Sequence, residues 1–188
     1  MKMTIITTEK TVCDAPGKTV LLSFSRPQDE YGEKLHRRIE AFYSHKEKQC
    51  EKRLKDMANN FQEGELMIIS GCKILYQSEK FLSLRRDLTV KKNRRTKFSL
   101  SEFDIWELKT GLPLNLYFFE PDTKHIKTCM KSSAGDRKTL RKILKNFSPD
   151  NFSVSDKGTK IYIEKLNREI YIPFSKKSAF YADAQQPE

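Results

Sequence analysis

With 188 residues, 37% of them hydrophobic and 32% charged, the chain has room for one domain with a sizeable core. No run approaches the ~18 apolar residues that would span a bilayer, so no membrane-spanning helix is expected within these residues. Lys+Arg 36 against Asp+Glu 25 leaves a net charge of +11, which attracts anions over long range: nucleic acid, anionic lipid or an acidic protein.

Thr4–Thr8 reads as an edge strand, followed by the turn signal Asp14-Ala15-Pro16-Gly17. Thr19–Ser25 is β-branched and aromatic enough for a strand, with Pro27 ending it. Asp29 can cap the next element. Tyr31, Leu35, Ile39, Phe42, Lys46, Cys50, Leu54, Met57 and Phe61 recur every three or four residues. All but Lys46 are apolar or aromatic, which predicts one stripe of an amphipathic helix from Tyr31 to about Asn59. Such a helix of ~28 residues is ~42 Å long.

Glu65–Tyr76, with a bulge at Gly71, and Lys80–Val90 read as the next two strands. Lys91–Lys97 is a basic loop with Asn93 at a turn position. Phe98–Leu108 and Pro113–Phe119 then form a central hairpin around Lys109-Thr110-Gly111-Leu112, where Gly111 supplies a positive φ. The hairpin carries the single Trp, Trp106, which is expected to be buried. The alternation of Leu114, Leu116 and Phe118 with Asn115, Tyr117 and Phe119 suits a strand. A short helix capped by Asp122 or Thr123 carries His125, Ile126, Cys129 and Met130. Ser132–Gly135 interrupts it, and Asp136 opens a second helix with Leu140, Ile143, Leu144 and Phe147 as its apolar face. Phe152–Val154, Thr159–Glu164 and Glu169–Phe174 close the chain as strands.

The pattern predicts an α+β fold: an antiparallel sheet with the long helix packed on one face and shorter helices in the C-terminal half. Residues 1–18 form an N-terminal extension or edge strand, 19–178 a single domain, and 179–188 a disordered tail without core residues.

Three stretches carry a resemblance. They are Arg38-Ile39-Glu40-Ala41-Phe42-Tyr43 in the long helix, Trp106-Glu107-Leu108-Lys109-Thr110-Gly111 followed by Leu114-Asn115-Leu116, and the ending from Phe147-Ser148-Pro149-Asp150-Asn151-Phe152 through Asp156-Lys157-Gly158 and Ile161-Tyr162 to Ile172-Pro173-Phe174-Ser175. In their order these resemble the RsiV-type domain over residues 19–178. That domain is the sensing part of a lysozyme-binding anti-sigma factor. It also occurs as small stand-alone proteins of Firmicutes, especially clostridia, and beside a peptidoglycan deacetylase. The resemblance implies a non-catalytic domain that binds a protein or cell-envelope ligand, with Trp106, Gly111 and Pro173 as structural residues. Two features depart from the family. Its Gly-Gly-Ala-His turn would fall at Asn93-Arg94-Arg95-Thr96, which is basic here. Only Lys165-Leu166-Asn167-Arg168 stands where the family has a longer apolar insert. Lysozyme is strongly basic, so a domain at +11 would repel it, and charge disfavours the family's ligand.

The chain shows no P-loop, G-x-G-x-x-G, H-E-x-x-H or G-x-S-x-G pattern. No cofactor or metal is expected, and no enzymatic activity. His125 and Cys129, at i and i+4, share a helix face and could form a thiolate–imidazole pair, although a helix face with Cys129 inward is the plainer reading. Glu47/Glu51 and Glu102/Asp104 read as surface charge. His36 and His45, beside the stripe with no partner at fixed spacing, read as solvated or structural, while Cys50 lies on the apolar stripe as a small hydrophobe. Four cysteines without a C-x-x-C spacing read as free thiols. Without an apolar h-region at the N-terminus, the chain is expected to be cytoplasmic, whereas RsiV-like members are often extracytoplasmic.

The densest charge lies in Arg85, Arg86, Lys91, Lys92, Arg94, Arg95 and Lys97, opposed only by Asp87. This cluster is the candidate partner-binding surface. It supports an alternative function, a basic nucleic-acid or polyanion binder acting through Arg85–Lys97.

Overall fold

The structure, a computed structural model, describes residues 3–29 and 37–178. The expected tail at 179–188 and the expected first turns of the long helix at 31–36 lie outside them. The elements are β1 (Met3–Ala15), β2 (Lys18–Asp29), α1 (Arg37–Asn59), β3 (Gly64–Gln77), β4 (Phe81–Lys92), β5 (Arg95–Glu107), β6 (Leu112–Pro113), α2 (Leu116–Phe119), α3 (Thr123–Ala134), α4 (Arg137–Asn146), β7 (Phe152–Val154), β8 (Gly158–Ile163), a 3-10 turn (Glu164–Leu166) and β9 (Arg168–Pro173). The fold is α+β, with one sheet in the order β1-β2-β3-β4-β5-β6 and a second in the order β7-β8-β9. The chain divides into two compact units, with β3, β4 and β5 each contributing residues to both.

In the first unit β1 pairs antiparallel with β2, with a register shift between Thr11 and Cys13. β1 therefore extends well beyond the expected Thr4–Thr8. Pro27 does not end β2. It pairs with Ile5 of β1, while the pairing of β2 with β3 stops at Phe24 and Ser70. A residue with no N–H to give is tolerated where one side of the strand needs no donor. The expectation of a wholly antiparallel sheet also fails at one place: β2 and β3 are parallel. Parallel neighbours need a long crossover, and α1 supplies it.

Val20, Leu22, Phe24, Leu66 and Ile68 form a core with Cys50, Leu54 and Ala58 of α1 and with Phe61. The buried stripe of α1 is Ile39, Tyr43, Glu47, Cys50, Leu54 and Ala58. It is rotated from the expected stripe, so Lys46 and Met57 fall outside it. Glu47 is tolerated inside because Thr8 donates to it at 3.2 Å and Lys10 Nζ lies 2.7 Å from its Oε1. Lys46 instead lies over the Phe42 ring at 5.4 Å. Lys18 Nζ donates to the Ala58 carbonyl at 2.7 Å, which satisfies one of the acceptors left open at the helix end.

The second unit has its own core, with Phe81, Ile105, Leu116, Phe119, Ile126, Met130, Ile143, Phe152, Val154, Ile161, Ile163, Ile170 and Ile172 among its members. Trp106 is 3% exposed, as expected. The second arm of the central hairpin is not a strand. Pairing ends at Leu112–Pro113, and Leu116–Phe119 form a helical turn capped by the Asn115 side chain, which accepts from the Tyr117 N–H. Leu116 and Phe119, three apart, are buried, while Tyr117 and Phe118 are exposed. A short alternating run can also be read as i, i+3, and here the cap decides it. Gly111 does have a positive φ of 65°. α3 does not break at Ser132 but continues to Ala134, with Gly135 as its cap. In α4, Ile143 is buried and Leu144 exposed.

Candidate functional site

The expected basic loop is the tip of a hairpin. β4 and β5 run up to Lys92 and from Arg95, joined by Asn93 (φ 49°) and Arg94 (φ 64°). Two positive φ values fit the primed turns that match strand twist, and asparagine is a preferred first residue there. The tip is anchored on the start of β3. The Asn93 N–H donates to the Glu65 carbonyl at 2.7 Å, and the Glu65 N–H donates to Asn93 Oδ1 at 2.8 Å. Gly64, with φ 96°, lies so close that a Cβ there would stand 2.1 Å from Asn93 Oδ1.

The seven cations of the sequence cluster are not one surface. Arg86 is 4% exposed and paired with Glu102. Arg85 Nε lies 2.8 Å from Asp87 Oδ1, and its Nη2 donates to Ser101. Arg86 is removed from the candidate surface by burial and its pairing with Glu102, and Arg85, on the opposite face of the strand, is engaged by Asp87 and Ser101. Lys91 is partly buried, and Lys92 lies over the Phe61 ring at 5.1 Å. Arg94, Arg95 and Lys97 are exposed. The tip thus offers three outward cations, with Lys91 and Lys92 at its base.

The thiol and imidazole of the predicted pair are brought near each other. Cys129 Sγ lies 3.8 Å from His125 Nε2, and the same Nε2 lies 2.9 Å from the Pro173 carbonyl. A carbonyl can only accept, so in this contact Nε2 is the donor. Burial and the Glu120 carboxylate push the Cys129 thiol up, away from a thiolate. Burial likewise raises the Cys50 thiol.

Glu120 was not foreseen as a candidate. It is fully buried. Oε1 accepts from Ser175 Oγ at 2.7 Å and from the Asp122 N–H at 3.2 Å, and Oε2 accepts from the Ser175 N–H at 2.9 Å. The only signal in the sequence was a carboxylate directly before a proline and a helix cap. Glu102 pairs with Arg86, and Glu47 is buried rather than surface charge. Among the described residues no group of His, Cys, Asp and Glu could hold a metal ion, and no helix is long and apolar enough to cross a membrane.

No family model matches the chain, and no curated protein matches it. Solved structures do resemble it in fold. A DUF3298 family protein from Pseudomonas aeruginosa PAO1 matches with a TM-score of 0.57 at 10% identity, over 92% of this chain and 90% of that one. A member of the DUF3298 family from Bacteroides fragilis matches with a TM-score of 0.52 at 14% identity, over the same shares.

Proposed function

We propose that the chain is a non-catalytic binding domain of the RsiV-like kind, whose partner is a protein or cell-envelope component of opposite charge. The likeness in fold to DUF3298 structures over 92% of the chain carries this reading. The order of motifs that resembles RsiV-type domains supports it at a finer level. The raised Cys129 thiol argues against a nucleophile in the one place where the sequence offered one. The net charge of +11 turns the partner away from lysozyme and towards acidic surfaces. Titration calorimetry against lysozyme at physiological salt tests the charge argument. No saturable heat is expected, and a stoichiometric complex would overturn it. Specific turnover of a substrate, abolished by one point substitution, would overturn the non-catalytic reading itself.

A second reading keeps the polyanion function at the β4–β5 tip, through Lys91, Lys92, Arg94, Arg95 and Lys97. The exposure of Arg94, Arg95 and Lys97 on a rigidly anchored turn favours it. Under this reading Arg94→Gln/Arg95→Gln weakens oligonucleotide binding and flattens its salt dependence.

A further inference from the structure

A second accumulation of charge, larger in total, lies in the second unit. Residues 123–146 hold eight Lys and Arg against one carboxylate, Asp136, and so account for +7 of the chain's +11. Lys124, Lys127 and Lys131 are on α3; Arg137, Lys138, Arg141, Lys142 and Lys145 are on α4. All eight are exposed. Among the described residues none of them has a carboxylate within ion-pair distance.

Their placement on α4 is ordered. At about 100° per residue, the five cations fall within an arc of roughly 140°, opposite Ile143, which is buried in the core of the unit. α4 carries no acidic residue of its own, and the Asp136 carboxylate is occupied, accepting from both the backbone N–H and the hydroxyl of Thr139. The 3-10 turn that packs on α4 brings Glu164 and Lys165, which cancel. Where α3 turns into α4, a cleft of about 510 Å³ is lined by Lys131, Gly135, Asp136, Arg137 and Leu140, with cations from both helices at its rim.

We infer that the α3–α4 hairpin is a second, unassigned binding surface, and that its ligand is the phosphodiester backbone of nucleic acid, held without regard to base sequence. Five cations on one side of a short rigid helix present a row of charge to a linear polyanion. Two of them are arginines, whose planar fork suits phosphate oxygens. A lipid surface fits less well. An interfacial helix inserts a broad apolar face, whereas the apolar side of α4 is turned into the core, and Leu144 alone is exposed at the edge of the arc. This inference does not rest on the β4–β5 tip.

The test is fluorescence anisotropy of a short mixed-sequence DNA duplex with the full chain across a salt series. Neutralising five phosphates gives a log–log slope of about −4.5, at about 0.9 per phosphate. Arg141→Gln/Lys142→Gln, both exposed and both to a good helix former, is expected to flatten the slope by about 2. Arg141→Lys is expected to keep it, and Lys52→Gln, an exposed cation on α1 outside both basic surfaces, to leave it unchanged. Absence of binding at physiological salt would overturn the inference, as would loss of binding only in the Arg94/Arg95 variant, which would move the site to the hairpin tip. Vesicles of phosphatidylglycerol run in parallel; tighter binding to them than to the duplex would assign the surface to lipid and equally overturn it.

Discussion

Truncating Glu120 to alanine is expected to cost the second unit about 2–4 kcal/mol. The side chain is fully buried and accepts three hydrogen bonds, two from Ser175 and one from the Asp122 backbone. Removing it leaves two backbone N–H groups without their acceptor, at about 1–3 kcal/mol for each that stays buried. Ser175 and Asp122 are only partly buried, so water recovers some of this loss. Truncation also relieves the desolvation of the carboxylate, which lowers the net figure further. Glu120→Gln keeps the volume but turns an NH₂ towards a donor, and about 1–2 kcal/mol is expected. The assay is urea unfolding followed by Trp106 fluorescence, because Trp106 is buried in the same unit and is the chain's single Trp. The midpoint should fall in the order wild type, Gln, Ala, with an unchanged m-value. An alanine variant within about 0.5 kcal/mol of wild type, no more than an ordinary surface change, would refute the claim that this carboxylate ties the segment after β9 to the start of α3.

Gly64→Ala is expected to destabilise the first unit by about 2 kcal/mol or more, since φ 96° disfavours any L side chain and the new Cβ would collide with Asn93. Circular dichroism in a denaturant series measures it, and a neutral result would mean that Asn93 moves away at little cost. Asp136 is held below the usual aspartate range by the Thr139 hydroxyl and N–H. A depressed carboxyl contributes stability above its unfolded value and loses it as pH falls through the folded one. Helicity from α4 should therefore decline in acid, below the ordinary aspartate range, and Asp136→Asn should blunt that decline.

The α+β class was legible because strand-like and helix-like runs are separated in the chain, and because a 3.6-residue stripe marks α1 clearly. The phase of that stripe was not, since Glu47 enters the core only through partners on β1, far away in sequence. Pairing direction was hidden for the same reason: nothing local distinguishes a β2 that returns beside β3 in parallel. At Pro113–Phe119 period two and i, i+3 fit equally well over so few residues, and the Asn115 cap tipped the balance. For the candidate surface, alternation along β4 could have separated Arg86 from Arg85 in advance, because adjacent strand residues cannot share a face. The charge on α3 and α4 was visible as letters, but at helical spacing it is diluted by the core residues between. It gathers into one arc only when the helix is built.

The non-catalytic reading turns on Cys129 and His125, and site-resolved alkylation tests it most directly. Iodoacetamide labelling of each cysteine is followed by mass spectrometry across a pH series, in the wild type and in His125→Ala. Cys129 should react slowly at neutral pH, gain rate only above the ordinary thiol range, and keep that profile without the imidazole. Rapid labelling at neutral pH that depends on His125 would mean a thiolate–imidazolium nucleophile, and a domain that catalyses.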